Sequence, residues 1–328
     1  MPALVVDTQH HWFPPRYRAA LAAQAARNER FAAANGPFLQ IGDDHPGAQL
    51  LERLPAMDEA GIDVAVLSLP PPAAVFADAA AAAETVATAN DELIEACGQA
   101  PERFLVLAGL PLPHLAESLA ELERLATHPQ VRGVCVGVDG LGHAPDKLAL
   151  EPLLERVAER SYLFVIHPAG HEPGPNGAFD DYALGLALEW VLWTSLVGLR
   201  FALSGLLDRF PTLDIVVPHL GGVLPYLTQR LVDQTAGKAE RDLVHYLTER
   251  FYYDNCSYHP PALRCAAETV GPERIMLGSD YPFRGPVRRC VDDVREAGFG
   301  EAETRAMLGG TAARWFTPAR PPHARSPA

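Results

Sequence analysis

Several features that mark common protein classes are missing from this 328-residue sequence. Its five cysteines are odd in number and scattered, with no CxxC pair, so a disulfide framework is excluded and reduced thiols are indicated. Basic residues are outnumbered: 27 Lys and Arg stand against 41 Asp and Glu, giving a net charge of −14. We therefore expect neither nucleic acid nor an anionic membrane as a partner.

Long apolar runs and targeting signals are also missing. No apolar stretch approaches the roughly 20 residues that span a bilayer. The N-terminus lacks the basic start, apolar run and small-residue cleavage site of a signal peptide. No serine lies in a nucleophile-elbow sequence, which argues against serine hydrolysis. We expect a cytoplasmic protein whose chemistry does not use a serine nucleophile.

What the sequence does contain is a regular alternation of two patterns. Apolar, β-branched runs predict strands at residues 3–6, 64–69, 104–110, 133–138, 162–166, 214–217, 251–254 and 275–277. Helical spacing lies between them, for example at residues 50–60, 78–97, 115–126, 151–160, 223–235 and 261–270. Strand and helix repeated eight times predict a (β/α)8 barrel. A doubly wound open sheet is the alternative, but the segment after the first strand, DTQHHWFPP, has no glycine-rich phosphate turn.

The connections predict one domain over residues 1–317. Residues 16–46 are longer than a usual strand-to-helix loop and predict a small insertion over the barrel mouth. The Gly/Pro-rich residues 168–179 are a candidate lid, and the apolar stretch 182–210 contains a candidate subunit interface. Residues 318–328 are of low complexity and predict a disordered tail.

Polar side chains of metal-ligand type follow four of the predicted strands. Gln9 and His11 follow the first, and they alternate, so their side chains face the same way. His167 follows YLFVI, His219 follows LDIVVP, and Asp280 follows IMLGS. In a barrel these strand ends meet in one pocket. Imidazole and carboxylate groups suit zinc and are acceptable to manganese.

The motifs around these residues, DTQHH, FVIHP, PHLGG and GSDYPF, resemble those of the amidohydrolase superfamily. They are most similar to the branch that contains aminocarboxymuconate semialdehyde decarboxylase and related metal-dependent decarboxylases. The resemblance covers residues 4–316. It implies one divalent metal, zinc first and manganese as its rival, and a homodimer.

The resemblance also implies roles for single residues. His11, His167 and Asp280 match metal ligands, and His219 matches a histidine that acts as a base beside the metal. Asp280 is a second catalytic candidate because a carboxylate at a metal can also move a proton.

Three further residues are candidates for substrate binding. Arg53 and Arg230 match arginines that bind a substrate carboxylate, a task that suits guanidinium. Trp12 directly follows His11 in the chain and is expected to wall the site.

Gln9 departs from the family pattern because it stands where a first metal histidine is expected. Three outcomes are open: Gln9 ligates the metal through oxygen, Gln9 holds a water on the metal, or the site is poor in metal. His10 is adjacent, but its side chain should point to the opposite face of the strand.

The resemblance implies non-oxidative decarboxylation of a small unsaturated, aromatic or heteroaromatic carboxylic acid, with the metal binding water or the substrate. Metal-dependent hydrolysis of a lactone or amide, or hydration of a double bond, is the alternative. A third hypothesis is a non-catalytic relative with a degraded metal site, which Gln9 favours.

Overall fold

The fold is described from a computed structural model, which covers residues 4–29, 32, 49–69, 78–142, 144–169, 178–179 and 181–317. Its eight strands are β1 Val6–His11, β2 Val64–Ser68, β3 Phe104–Ala108, β4 Val131–Gly137, β5 Leu163–His167, β6 Asp214–Val216, β7 Phe251–Asp254 and β8 Ile275–Met276. They pair in sequence order, all parallel. Bridges Asp7↔Leu277 and His10↔Tyr281 join the last strand to the first. The predicted (β/α)8 barrel is confirmed.

Helices lie between the strands and after the last one. They are α1 Pro15–Ala25, α2 Leu54–Ala60, α3 Ala79–Cys97, α4 Leu115–Leu125, α5 Glu151–Glu159, α6 Trp190–Leu203, α7 Leu206–Arg209, α8 Leu224–Thr235, α9 Leu243–His245, α10 Pro260–Val270, α11 Arg289–Glu296, α12 Glu301–Arg305 and α13 Ala313–Phe316. Short 3-10 turns occupy Leu51–Arg53, Pro145–Lys147 and Pro272–Arg274, and wide π turns occupy Gly185–Glu189, Tyr246–Arg250 and Ala306–Gly310.

Alternating side chains divide the core into two layers, as parallel strands buried on both faces require. On β2, Val64 and Val66 belong to a cluster of residues from several strands that fills the barrel. Ala65 and Leu67 belong to the larger cluster between the strands and the helices. Phe316, near the C-terminal end of the described chain, joins the inner cluster. The barrel is therefore a packed core, and open space for chemistry is left to the strand ends.

The first part of the predicted insertion is helix α1. Its Tyr17 and Leu21 are buried against Val86 and Ala89 of α3. Residues 30, 31 and 33–46 of the insertion lie outside the described residues, as do residues 170–177 of the candidate lid and the predicted tail, residues 318–328.

One helix differs from the expectation drawn from hydropathy. Gly185–Leu203 has 19 residues and a mean hydropathy of 1.4, so by length and composition it passes as a membrane span, although no such stretch was expected from the sequence. In the fold, 44% of it is buried. Its inner face packs on the barrel, where Gly198 lies close enough to Val217 that an added Cβ would sit 3.2 Å from that side chain.

Candidate metal centre

Strand β1 carries one residue more than the strand beside it. Asp7 pairs with Ala65, whereas His10 pairs with Leu67, so three residues of β1 span the length of two in β2. Beyond this bulge, Gln9 and His11 point to the same pocket and His10 points away, since it contacts Asp7 instead. Bulges commonly redirect side chains next to sites.

His11 meets a carboxylate on one side and a hydroxyl on the other. Its Nε2 lies 3.3 Å from Asp280 Oδ1, and its Nδ1 lies 3.0 Å from Ser68 Oγ. Ser68 is the last residue of β2 and is buried. A hydroxyl at Nδ1 fixes the plane of the ring and directs Nε2 into the pocket, as ligand histidines require.

His167 ends β5, and its protonation can be assigned. Its Nδ1 lies 2.6 Å from the carbonyl oxygen of Pro168, which can only accept, so Nδ1 carries the proton. Nε2 therefore presents its lone pair to the pocket, 3.1 Å from Gln9 Nε2. Burial, joined by the nearby His11 and His219, holds the pKa of His167 well below its usual value. A neutral imidazole with a free Nε2 is the form that binds metal.

Asp280 projects from the loop after β8 with a left-handed backbone, φ 53°. Its amide donates to the Gln9 carbonyl at 2.8 Å, which fixes the loop to β1. Asp tolerates this conformation better than most residues. Burial alone would raise the pKa of Asp280, but the neighbouring His11 and His219 imidazoles outweigh it and hold the pKa below the usual range. Asp280 is thus an ionised carboxylate.

His219 stands at the side of this group. It sits in a tight left-handed turn with φ 55° and ψ 48°, and its amide donates to Asp254 Oδ1 at 2.8 Å. Its Nε2 lies 3.4 Å from Gln9 Nε2 and 3.9 Å from Asp280 Oδ2. Burial lowers the pKa of His219, yet the negative charge of Asp280 outweighs it, so the net shift is upward.

The donor set fits a divalent cation. The ligand atoms of His11, His167 and Asp280 all lie within 4.8 Å of one another. Within the described part of the chain, Gln9 Oε1, His11 Nε2 and His219 Nδ1 are buried without a hydrogen-bond partner. Unpaired buried polar atoms are costly, and a cation held by His11, His167 and Asp280 would satisfy His11 Nε2. Rotating the Gln9 amide by 180° exchanges Oε1 with Nε2, because the two ends are nearly isosteric.

The three substrate-binding candidates lie in different surroundings. Arg53 is only 2% exposed, and its Nη1 donates to the His11 carbonyl at 2.6 Å. Burial lowers the pKa of Arg53 to about 10. Arg230 is exposed on α8, and Trp12 is 7% exposed within the main core cluster. These placements leave their proposed contacts with substrate as predictions.

Sequence reasoning missed residues that support this centre. Asp254 ends β7 in the same way that His167 ends β5, and the strand-end rule could have found it. Ser68 offers the same signal at the end of β2. Phe283, whose ring centroid lies 5.4 Å from that of His11, gave none beyond its place in GSDYPF.

Proteins of known function resemble this chain over most of its length. A gamma-resorcylate decarboxylase of Polaromonas sp. is 30% identical over 281 residues, covering 80% of this chain and 86% of that protein. The crystal structure of 5-carboxyvanillate decarboxylase from Sphingomonas paucimobilis superimposes with a TM-score of 0.85 at 28% identity, covering 96% of this chain and 99% of that one.

A third protein links the fold to a metal. It is a dihydroxybenzoic acid decarboxylase from Polaromonas sp., solved with bound manganese and the inhibitor 2-nitroresorcinol. It has a TM-score of 0.78 and 26% identity, with 95% of this chain and 96% of that one covered. The relatives support an enzyme of the carboxy-lyase class. The amidohydrolase family model matches residues 6–317, from the bulged strand to the end of the barrel, and the chain belongs to that family.

Proposed function

We propose that the protein is a metal-dependent, non-oxidative decarboxylase of a small aromatic carboxylic acid. The observation that carries the proposal is the group of His11, His167 and Asp280, with ligand atoms within 4.8 Å of one another. It occurs in a chain 30% identical to a gamma-resorcylate decarboxylase. Each relative acts on its own substrate, and at this identity the individual acid is left to experiment.

A divalent metal held by His11, His167 and Asp280, with Gln9 as an oxygen donor, would bind and polarise the acid as a Lewis acid. Two oxygen donors beside two imidazoles shift the preference toward manganese, because amide and carboxylate oxygens are harder ligands than nitrogen. The manganese in the dihydroxybenzoic acid decarboxylase supports the same choice. Zinc, expected first from the sequence, stays an untested prediction.

The reaction needs a proton at one carbon. The bond between ring and carboxylate breaks, its electron pair stays on the ring carbon, carbon dioxide leaves, and a proton takes its place. Asp280 and His219 are the groups placed for this, since Asp280 Oδ2 and His219 Nε2 lie 3.9 Å apart at the pocket. Because Asp280 is ionised, the proton would come from His219 and pass by way of Asp280 Oδ2 to the ring carbon, with a water bridging the two groups. Solvent would then return a proton to His219.

We also propose that the enzyme is a cytoplasmic homodimer. All five cysteines are free, in keeping with a reducing compartment. The outer face of the segment before and along α6 exposes large apolar side chains, with Tyr182 91%, Leu188 43% and Leu192 36% exposed. Exposed apolar surface of this kind marks interaction sites. Light scattering after size-exclusion chromatography tests the dimer, and a Leu188→Glu/Leu192→Glu variant should elute as a monomer.

The function is tested by carbon dioxide release. Metal-free protein would be prepared by chelation, reloaded with manganese or zinc, and given 2,6-dihydroxybenzoate, 5-carboxyvanillate and salicylate. We expect release with at least one acid, higher activity with manganese, and none from His167→Ala. Hydrolysis of a lactone panel without release from any acid would replace decarboxylation by the hydrolase alternative. Wild-type protein that binds neither metal would contradict the proposal.

A further inference from the structure

Arg284 is a cation in the loop that carries Asp280, and it takes no part in the proposed reaction. It lies four residues after Asp280 in the loop that follows β8, and its side chain is exposed. Its guanidinium carbon lies 5.8 Å from the centroid of the Tyr258 ring, a cation–π distance. Its positive charge acts against the upward shift in the pKa of His219.

Tyr258 is a firm support for Arg284. Its hydroxyl donates to the carbonyl of Ser279 at 3.1 Å, and Ser279 directly precedes Asp280 in the chain. Arg289 contacts the ring at 5.8 Å, and its Nη2 donates to the Tyr258 carbonyl at 3.1 Å. The Tyr258 ring is therefore bound to the loop that carries Asp280. Its contact with Arg284 fixes the position of the Arg284 guanidinium relative to Asp280.

The neighbouring arginines, Arg288 and Arg289, already have partners within the protein. Arg288 pairs with Asp292 at 3.0 Å and with Glu59 at 3.4 Å. Arg289 is held by Tyr258 and Asp293. Among the described residues, Arg284 makes no hydrogen bond or ion pair and has only the Tyr258 ring. An arginine without an acidic partner in a chain of net charge −14 is suited to bind an anionic ligand.

The reaction decides which anionic group this is. The carboxylate that leaves as carbon dioxide loses its negative charge, so a guanidinium bound to it would stabilise the ground state more than the transition state. A second anionic substituent keeps its charge throughout. An arginine bound to that group lowers the free energy of both states and selects the substrate without opposing the reaction.

We propose that Arg284 binds a second carboxylate on the substrate ring, so that the preferred substrates are aromatic dicarboxylic acids. The substrate class rests on the proposed function, whereas the binding role of Arg284 can be measured without turnover. Arg284 is then a specificity residue on the loop that carries Asp280, and it binds the carboxylate that stays on the ring.

The test compares two ligands that differ by one carboxylate: salicylate and 4-hydroxyisophthalate. Their affinities for manganese-loaded protein are measured by titration calorimetry in wild type, Arg284→Gln, Arg284→Lys and Arg288→Gln. Arg288 is the matched control, since it is exposed in the same region but paired. Wild type should bind the diacid about tenfold more tightly than salicylate, as a charge-assisted contact allows.

Arg284→Gln should bring this ratio close to one while changing salicylate affinity by at most about threefold. Arg284→Lys should retain part of the ratio, because ammonium keeps the charge but not the bidentate geometry. Arg288→Gln should leave the ratio unchanged. An unchanged ratio in Arg284→Gln, an equal loss for both ligands, or no preference for the diacid in wild type would each overturn the proposal. Suppose that wild type prefers the diacid and Arg284→Gln does not, yet no acid releases carbon dioxide. That outcome contradicts only the decarboxylase function.

Discussion

Strand β1 places two neighbouring histidines in two different environments. His10 and His11 are adjacent and both fully buried. His11 belongs to the metal cluster, which we define as Gln9, His11, His167, His219 and Asp280. His10 belongs to the closure cluster, which we define as Asp7, His10 and Ser279. Each histidine faces a carboxylate, at 3.3 Å for His11 and 2.8 Å for His10.

The two clusters differ in how fully their polar atoms are paired. In the closure cluster, Asp7 accepts from the Ser279 amide at 2.9 Å, from the Ser279 hydroxyl at 2.5 Å and from His10. Only His10 Nε2 is left without a partner there, whereas the metal cluster leaves three such atoms within the described chain. The closure cluster thus joins β8 to β1 where few backbone bonds do. Incomplete pairing, rather than residue type, separates a site from a structural contact.

The largest effect expected is loss of metal on substitution of His11, the histidine of this pair that belongs to the metal cluster. His11→Ala removes one of three close ligand atoms and should lower metal affinity on the order of 100-fold or more, since even outer-shell changes cost about 10- to 100-fold. His10→Ala should keep close to the wild-type metal content. Mass-spectrometric metal analysis after dialysis measures both. Equal loss in the two variants would erase the distinction between the clusters.

The second effect expected is on folding and falls on His10. His10→Ala takes one of the partners of the buried Asp7 carboxylate away, and the free energy of unfolding should fall by about 2–3 kcal/mol. Urea unfolding measures this change. His245→Ala is the control, because His245 meets Glu249 at the surface at 3.3 Å and should change stability by less than about 0.5 kcal/mol. A His10→Ala variant as stable as this control would contradict a structural role for the closure cluster.

The metal cluster could be predicted from sequence because it follows local rules. Apolar runs located seven strands to within two residues, but the first was predicted at residues 3–6, whereas β1 runs from Val6 to His11 and includes the polar residues expected to follow it. The period of two placed Gln9 and His11 together and His10 apart. Strand ends then brought in His167 and Asp280, whose positions along the chain are far apart. The barrel turns four local patterns into one pocket without any need to know the packing in detail.

The closure cluster could not be predicted in this way. Asp7 and Ser279 are 272 residues apart, and neither residue type nor spacing marks them as partners. The buried place of Arg53 below His11 was also hidden, since a charged residue in a helical pattern usually faces solvent. The left-handed turn at His219 and Leu220 likewise depends on tertiary contacts, with the His219 amide donating to Asp254 on the next strand. Contacts between distant segments decide all three.

A smaller effect is expected for the residue that orients His11. Ser68→Ala removes the hydroxyl 3.0 Å from His11 Nδ1 and should lower metal affinity about tenfold, because the ring loses its fixed orientation. Competition with a fluorescent chelator measures the affinity. Ser204→Ala is the control, since the Ser204 hydroxyl bonds only locally, to Phe201 and the Leu206 amide. An unaltered affinity in Ser68→Ala would mean that packing against Phe283 alone holds the ring.

The smallest and most informative effect is expected at Gln9, which stands where the family pattern has a metal-binding histidine. Its amide lies 3.1 Å from His167 and 3.4 Å from His219, so it reaches the metal cluster already. Gln9→Ala should lower manganese affinity by about three- to tenfold, because a neutral oxygen donor contributes less than imidazole or carboxylate. Gln9→His should bind zinc more tightly and shift the ratio of zinc to manganese affinity upward, since imidazole nitrogen favours zinc. Parallel chelator titrations with both metals give this ratio.

If only Gln9→His binds metal, the natural centre is degraded, and the chain belongs with non-catalytic relatives. If Gln9→Ala binds both metals as wild type does, Gln9 is no ligand, and its amide serves to join the two histidines of the pocket.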